Sequence, residues 1–267
     1  MQSGFFYILL IVRITLFQQD IIWTDPTANY NRIESVLSQC TDTDLLVLPE
    51  MCSTGFVTCP RLHPIELQAD VEQRLLSLSS RYQKAICGSF AVTLPDGSNR
   101  NRCYFATPEG QLYFADKHHL FSIGGEHMGY LPGQERVVVE WHGVRFLLLV
   151  CYDLRFPVWS RFTDESPYDI LVCVANWPQQ RRLAWDTLLA ARAIENQAYV
   201  IGVNRVGQDN ICPYDGGTRA IHPYGHIVAQ CPDNEESVCS FEPDMQKLGD
   251  FRRKFPSSHD ADRFALL

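Results

Sequence analysis

Residues 144–157 read VRFLLLVCYDLRFP. The run from Val144 to Val150 is apolar except for Arg145. It is too uniform for a strand with one wet face, so it predicts a strand inside a sheet, covered on both sides. It ends at Cys151, after which the polar residues of YDLRFP require the chain to leave the strand sharply. A side chain at such a strand-to-turn step opens into a cleft, and the next backbone N–H, that of Tyr152, can point at the same substrate atom. Upstream, RVVVEW and His142-Gly143 complete a hairpin with this strand.

Further out, short apolar strands alternate with amphipathic helical stretches. RITLFQQ reads as a strand. Asp25-Pro26 reads as a helix start with proline in the first turn, and Ile33 and Leu37 lie one turn apart. TDTDLLVLPE is a polar turn followed by a buried strand ending at Pro49-Glu50. Leu67, Val71, Leu75, Leu78 and Tyr82 recur at helical spacing. AICGSFAV, RCYFATP and QLYFADKHHLF read as consecutive hairpin strands, and SIGGEHMGYLPG as a glycine-rich loop. YDILVCVAN predicts a buried strand, RRLAWDTLLAARAIENQ a helix and AYVIGVN the strand after it. TRAIHPYGHIVAQ predicts a hairpin, and FRRKFPSSHDADRFALL is a mixed, charged tail. No repeat, linker or low-complexity block interrupts this order. It predicts one α/β domain built on two packed mixed sheets.

The chain has 267 residues, 46% hydrophobic and 20% charged, with a net charge of −8. That is enough chain to bury a core without staples. The acidic balance and the lack of a basic stripe exclude nucleic acid as the main partner. Ten cysteines show no Cys-x-x-Cys spacing, and several sit in apolar runs. They are expected as buried thiols of a reducing, cytoplasmic compartment. Residues 5–12, FFYILLIV, are too few to span a bilayer. They lack the charged n-region and cleavage site of a signal peptide. The expectation is an extension over 1–12 of no functional weight, a single domain over 13–267, and no membrane partner.

Three strand ends deliver reactive groups: Glu50 after VLP, Lys117 after FAD and Cys151 after LLLV. Singly each is weak evidence. A glutamate at a strand end is usually a solvated turn residue, a lysine in an alternating strand is usually exposed, and a cysteine is more often a small core residue than a nucleophile. Together they supply a thiol, a base to take its proton and a cation for the charge that develops.

LLVLPEM, YFADKHHLF, LLLVCYDLRFP and RAIENQAYV, in that order, resemble the carbon–nitrogen hydrolase (nitrilase) superfamily, from about Arg13 to the tail. The resemblance implies an α-β-β-α sandwich with Glu50 as general base, Lys117 as oxyanion stabiliser and Cys151 as nucleophile. It also implies an assisting role for Glu126 in GGEH, a homodimer and no cofactor. Within the superfamily VANWP and HHLFSIGGEH resemble bacterial ω-amidases, which implies a small amide substrate such as 2-oxoglutaramate. Other readings of the same scaffold are a nitrilase, a carbamoylase or a different amidase, although Tyr152-Asp153 after the cysteine leans toward amides. A catalytically silent binding protein is the reading outside enzymology.

Other features have ordinary explanations beside functional ones. His118-His119, read as adjacent strand residues, face opposite ways and cannot chelate one ion, and His222 and His226 straddle a hairpin, so no metal is expected. Arg155 is either a bidentate grip for a substrate carboxylate or a structural partner of Asp153. Trp177 either lines the acyl pocket or packs beneath a loop. Arg192 and Glu195 are expected as a local ion pair, worth a few tenths of a kcal/mol when exposed. Gly124-Gly125 lack a phosphate-binding fingerprint. They are expected in a mobile rim that carries Glu126.

Overall fold

The structure, a computed structural model, describes residues 12–63 and 65–262. The apolar extension expected over 1–12 lies outside the described residues except for Val12, which is buried. The first half runs Ile14–Gln18 (β1), Pro26–Gln39 (α1), Leu45–Val47 (β2), Glu66–Leu67 (β3), Gln68–Tyr82 (α2), Ala85–Thr93 (β4), Asn99–Ala106 (β5) and Leu112–Asp116 (β6). The second half runs Val138–Trp141 (β7), Val144–Val150 (β8), Pro157–Ser160 (α3), Ile170–Val174 (β9), Arg182–Asn196 (α4) and Tyr199–Val203 (β10). It ends with Val206–Gln208 (β11), Pro213–Asp215 (β12), Arg219–Ile221 (β13), Ile227–Gln230 (β14), Ser237–Phe241 (β15) and Met245–Lys254 (α5).

Two sheets form. One has the order β15-β1-β2-β4-β5-β6, with β3 beside β4; the other has the order β14-β13-β10-β9-β8-β7. Each is parallel at its centre, through β1-β2-β4 and β8-β9-β10, and antiparallel at its flanks. Strand alternation decides how they stack. Ile14, Leu16, Leu45, Val47, Cys87 and Phe105 point into one core with Phe146, Leu148 and Val150 of the other sheet. The alternate residues Phe17, Leu46, Ile86 and Phe90 point outward onto Ile33 and Leu37 of α1 and Val71 and Leu75 of α2. On the far side Trp185, Leu189 and Ala193 of α4 cover the second sheet. The layers are helix, sheet, sheet, helix. Truncating a core leucine such as Leu148 to alanine costs about 2–5 kcal/mol.

Local signals start and stop the elements. Asp25 caps α1 by accepting from Ala28 N at 3.0 Å, with Pro26 in its first turn. The His142-Gly143 hairpin turn takes left-handed φ at both positions, 50° and 76°. β8 has a neighbour on each side, as its apolar run requires.

Three expectations need correction. The strand expected through QLYFADKHHLF stops at Asp116, because Gly133 N bonds to Lys117 O at 2.9 Å and the chain turns away there. Leu67 is exposed and caps α2 rather than joining its buried face. The mixed, charged tail begins inside a helix, since α5 runs Met245–Lys254, and the edge strand β15 that precedes it was not expected. Among the described residues no helix is long and apolar enough to cross a membrane.

Candidate active site

The parallel strands β2, β8 and β9 end on the same side of the molecule, and the expected reactive groups gather there. Ligands in open α/β sheets bind at this end of the strands. Glu50 lies three residues past β2. It is followed by Met51 in the left-handed region at φ 43°. Cys151 follows β8 directly, itself left-handed at φ 47°, and opens the 3₁₀ turn Cys151–Arg155. A non-glycine residue held at positive φ is strained, and surrounding contacts must over-determine it. Here they do. Asp153 Oδ2 accepts from Val150 N at 3.1 Å, and Arg192 Nη2 donates to Leu154 O at 2.7 Å.

Lys117 follows β6. Its Nζ lies 2.8 Å from Glu50 Oε1 and 2.9 Å from Glu126 Oε2. All three side chains are fully buried. Asp116, just before Lys117, is gripped bidentately by Arg102 at 2.6 and 2.9 Å. Gly133 must be a glycine, because a Cβ there would stand 2.2 Å from Asp116 O. The backbone that carries Lys117 is thus clamped on two sides.

The electrostatics follow from burial and neighbours. Burial alone would push the Lys117 ammonium down, but Glu126 and Glu50 reverse this and hold it well above its ordinary value, so it stays charged at neutral pH. Burial pushes the Cys151 thiol up, the negative charge of the nearby Glu50 carboxylate adds to the rise, and Lys117 opposes it. The net is a raised thiol. The resting sulfur therefore keeps its proton, and a base beside it is needed to remove it. Proton removal has to accompany attack.

The remaining hydrogen bonds were not anticipated. Asn101 Nδ2 donates to Glu50 Oε1 at 2.8 Å and to Glu126 Oε1 at 2.9 Å. Ser89 Oγ donates to Asn101 Oδ1 at 2.9 Å and accepts from Met51 N. Phe121 N donates to Glu126 Oε2 at 2.6 Å, and Asn176 N donates to Glu50 Oε2 at 2.8 Å. The strand expected from RCYFATP starts earlier, at Asn99, which brings Asn101 into β5, although asparagine is depleted from strands.

A cleft of about 270 Å³ opens onto Cys151 and is lined by Tyr152, Arg155, Trp177, Arg181 and Phe121 among others. The alternatives left open by the sequence now separate. Arg155 does not pair with Asp153, because Asp153 Oδ1 is taken by His119 Nδ1 at 2.8 Å and by His119 N. Instead the Arg155 guanidinium lies over the Trp177 ring at 4.8 Å from its centroid and faces the cleft. Trp177 both lines the cleft and is buried. Glu126 is fully buried, so it does not stand on an exposed rim; Ile123, Met128 and Leu131 are the exposed large apolar residues of that loop. His118 and His119 are not on a strand, and their rings lie 4.5 Å apart. His118 stacks on Trp159, and His119 on Phe156. Arg192 pairs with Glu195 at 2.9 Å but is buried, so it anchors the turn after Cys151 rather than decorating a surface. Among the described residues no three His, Cys, Asp or Glu are placed to hold a metal.

A carbon–nitrogen hydrolase family model matches residues 13–253. The chain is 44% identical to omega-amidase YafV of Escherichia coli (strain K12), over 96% of this chain and 98% of that protein. It is 32% identical to a 2-oxoglutaramate amidase of Bacillus subtilis (strain 168), over 92% and 96%. Its structure matches that of XC1258 from Xanthomonas campestris, a CN-hydrolase superfamily protein with an arsenic adduct in its active site. The TM-score is 0.91, with 37% identity over 96% of this chain and 99% of that one. The α-β-β-α sandwich is the nitrilase-type fold.

Proposed function

The chain belongs to the carbon–nitrogen hydrolase family, and from that premise we propose that it is an amidase. It hydrolyses the terminal amide of 2-oxoglutaramate or a similar dicarboxylate monoamide to the acid and ammonia, through a thioester on Cys151. The observation that carries the reading is the buried contact of Lys117 with Glu50 at 2.8 Å beside the Cys151 thiol, in a cleft that also presents Arg155. The names of the Escherichia coli and Bacillus subtilis relatives support the substrate.

In this mechanism Glu50 takes the thiol proton as Cys151 Sγ attacks the amide carbon. The raised thiol makes this coupling necessary, since little thiolate stands ready. Negative charge develops on the carbonyl oxygen, and the Lys117 ammonium with the Tyr152 N–H stabilises it. Losing one such donor costs roughly two to three orders of magnitude in turnover. Glu50 then gives its proton to the nitrogen, the C–N bond breaks and ammonia leaves. Water, deprotonated by Glu50, attacks the thioester carbon; the C–S bond breaks and the sulfur regains a proton. Glu126, with Asn101, keeps Lys117 and Glu50 in register. Arg155 receives the far carboxylate and Trp177 forms the floor beneath it. The site needs no cofactor or metal for these steps.

The same reading makes the enzyme a cytoplasmic homodimer. Ten free thiols suit a reducing compartment, and the family resemblance favours the dimer. Ammonia release from 2-oxoglutaramate, succinamate and a nitrile tests the activity. Turnover of the monoamides, abolished in Cys151→Ala with an unchanged circular dichroism spectrum, is expected. Turnover of the nitrile alone, or an active Cys151→Ala, overturns the reading.

A further inference from the structure

The cleft is charged unevenly. Behind its Cys151 end two buried carboxylates, Glu50 and Glu126, surround one ammonium, a formal charge of minus one. Along its wall stand two half-buried guanidinium groups, Arg155 and Arg181, and among the described lining residues there is no Asp or Glu. Neither arginine forms an ion pair among the described residues. Arg182, the next residue along, shows the contrast: it contacts Asp186 at 2.8 Å, Asp215 at 3.2 Å and Asp233 at 2.9 Å. Acids are abundant in this protein of net charge −8, yet they are kept from these two cations.

Both cations rest on aromatic shelves. Arg155 lies over Trp177, and Arg181 lies over Phe121 at 5.3 Å from the ring centroid. Trp177 also donates from Nε1 to Arg181 O at 2.8 Å. One indole therefore supports one guanidinium with its face and holds the backbone of the other with its edge. A guanidinium stacked by its face keeps its in-plane N–H groups free for an oxyanion.

We infer that Arg181 acts with Arg155 as the specificity-determining pair that takes the charged end of the substrate. This rests on the amidase reading above and adds to it a second anchoring residue. Two guanidinium groups offer donors for a carboxylate and an adjacent 2-oxo oxygen together. The negative charge behind Cys151 repels that carboxylate, so the amide is the end that reaches Cys151. An α-ammonium, as in glutamine, would meet two cations with no acid to receive it, and is disfavoured.

The test compares succinamate with butyramide, in which a methyl group replaces the carboxylate. In Arg181→Gln, kcat/KM for succinamate is expected to fall roughly ten- to hundred-fold, mostly through KM, while butyramide changes less than about threefold. Arg181→Lys should recover part of the loss. An equal loss on both substrates, or none on succinamate, overturns the inference. Binding of 2-oxoglutarate to Cys151→Ala, followed by calorimetry, separates the two claims. If wild-type enzyme hydrolyses no amide yet Arg181→Gln weakens this binding about tenfold or more, the amidase reading fails and the anchor stands. If 2-oxoglutaramate is hydrolysed and the Arg181 substitution leaves binding unchanged, the anchor fails and the amidase reading stands.

Discussion

Asn176 holds Glu50 twice: its backbone N donates to Glu50 Oε2 at 2.8 Å, and its Nδ2 donates to Glu50 O at 2.7 Å. Glu50 follows β2 in one sheet and Asn176 follows β9 in the other. This pair is therefore a rivet across the seam between the sheets, and it fixes a carboxylate that belongs to one sheet against the cysteine that belongs to the other. Asn176→Ala removes the side-chain donor and leaves a buried carbonyl unpaired, which costs about 1–3 kcal/mol of stability. The carboxylate keeps its bond from the Asn176 backbone N, but the loosened Glu50 backbone that carries it should lower kcat roughly tenfold or more, since small misplacements of a reacting group are expensive. Urea denaturation and initial rates check both; wild-type kcat in this variant would contradict the rivet.

Asn101 bridges Glu50 and Glu126 without touching the cleft. Asn101→Ala should lower kcat while leaving KM close to wild type, because no substrate contact is lost. Asn101→Asp should be worse than alanine, since it sets a third carboxylate around one ammonium. Steady-state kinetics of the two variants check the order. A rise in KM with unchanged kcat would mean that Asn101 acts on substrate binding instead.

Buried thiols set a limit at alkaline pH. Burial holds Cys52, Cys151 and Cys173 well above the ordinary thiol value of 9.0. Above that value the unfolded chain has lost protons that the folded chain keeps, so stability falls as pH rises. The contribution of these thiols is fully present below the unfolded value. Each adds a slope of up to about 1.4 kcal/mol per pH unit above it. Urea midpoints should therefore be flat with respect to these groups up to about pH 8.5 and decline beyond. Cys173→Ala should show a shallower decline. Identical slopes in the variant and the wild type would contradict this origin.

The parts of this fold that sequence reveals are those whose burial is complete. VRFLLLV is apolar because β8 has a neighbour on each side and a helix layer beyond, and Val71, Leu75 and Leu78 keep helical spacing because α2 buries that face. What was missed is only partly buried. α5 buries Leu248 alone, so its periodicity is faint, and β15 is an edge strand with Val238 exposed. QLYFADKHHLF reads as one strand because its alternation runs past Asp116, while the close approach of Gly133 that ends it comes from a segment sixteen residues beyond Lys117. In the site, Glu50, Lys117 and Cys151 stand out as reactive types at strand ends. Asn101 and Asn176 act through hydrogen bonds to Glu50, and Ser89 through Asn101, so their part in the site is fixed by geometry that the sequence pattern does not carry. The rim role given to Glu126 failed for the same reason: its glycine neighbours suggested mobility, while its bonds to Lys117, Asn101 and Phe121 bury it.

The covalent step is the centre of the account, and intact-protein mass spectrometry after acid quenching during turnover of 2-oxoglutaramate tests it most directly. The account predicts one added acyl group, equal to the substrate less ammonia, that maps to the peptide bearing Cys151 and is absent from Cys151→Ala. Ammonia release at full rate with an acyl group on another residue, or with Cys151→Ala still turning over, would contradict it.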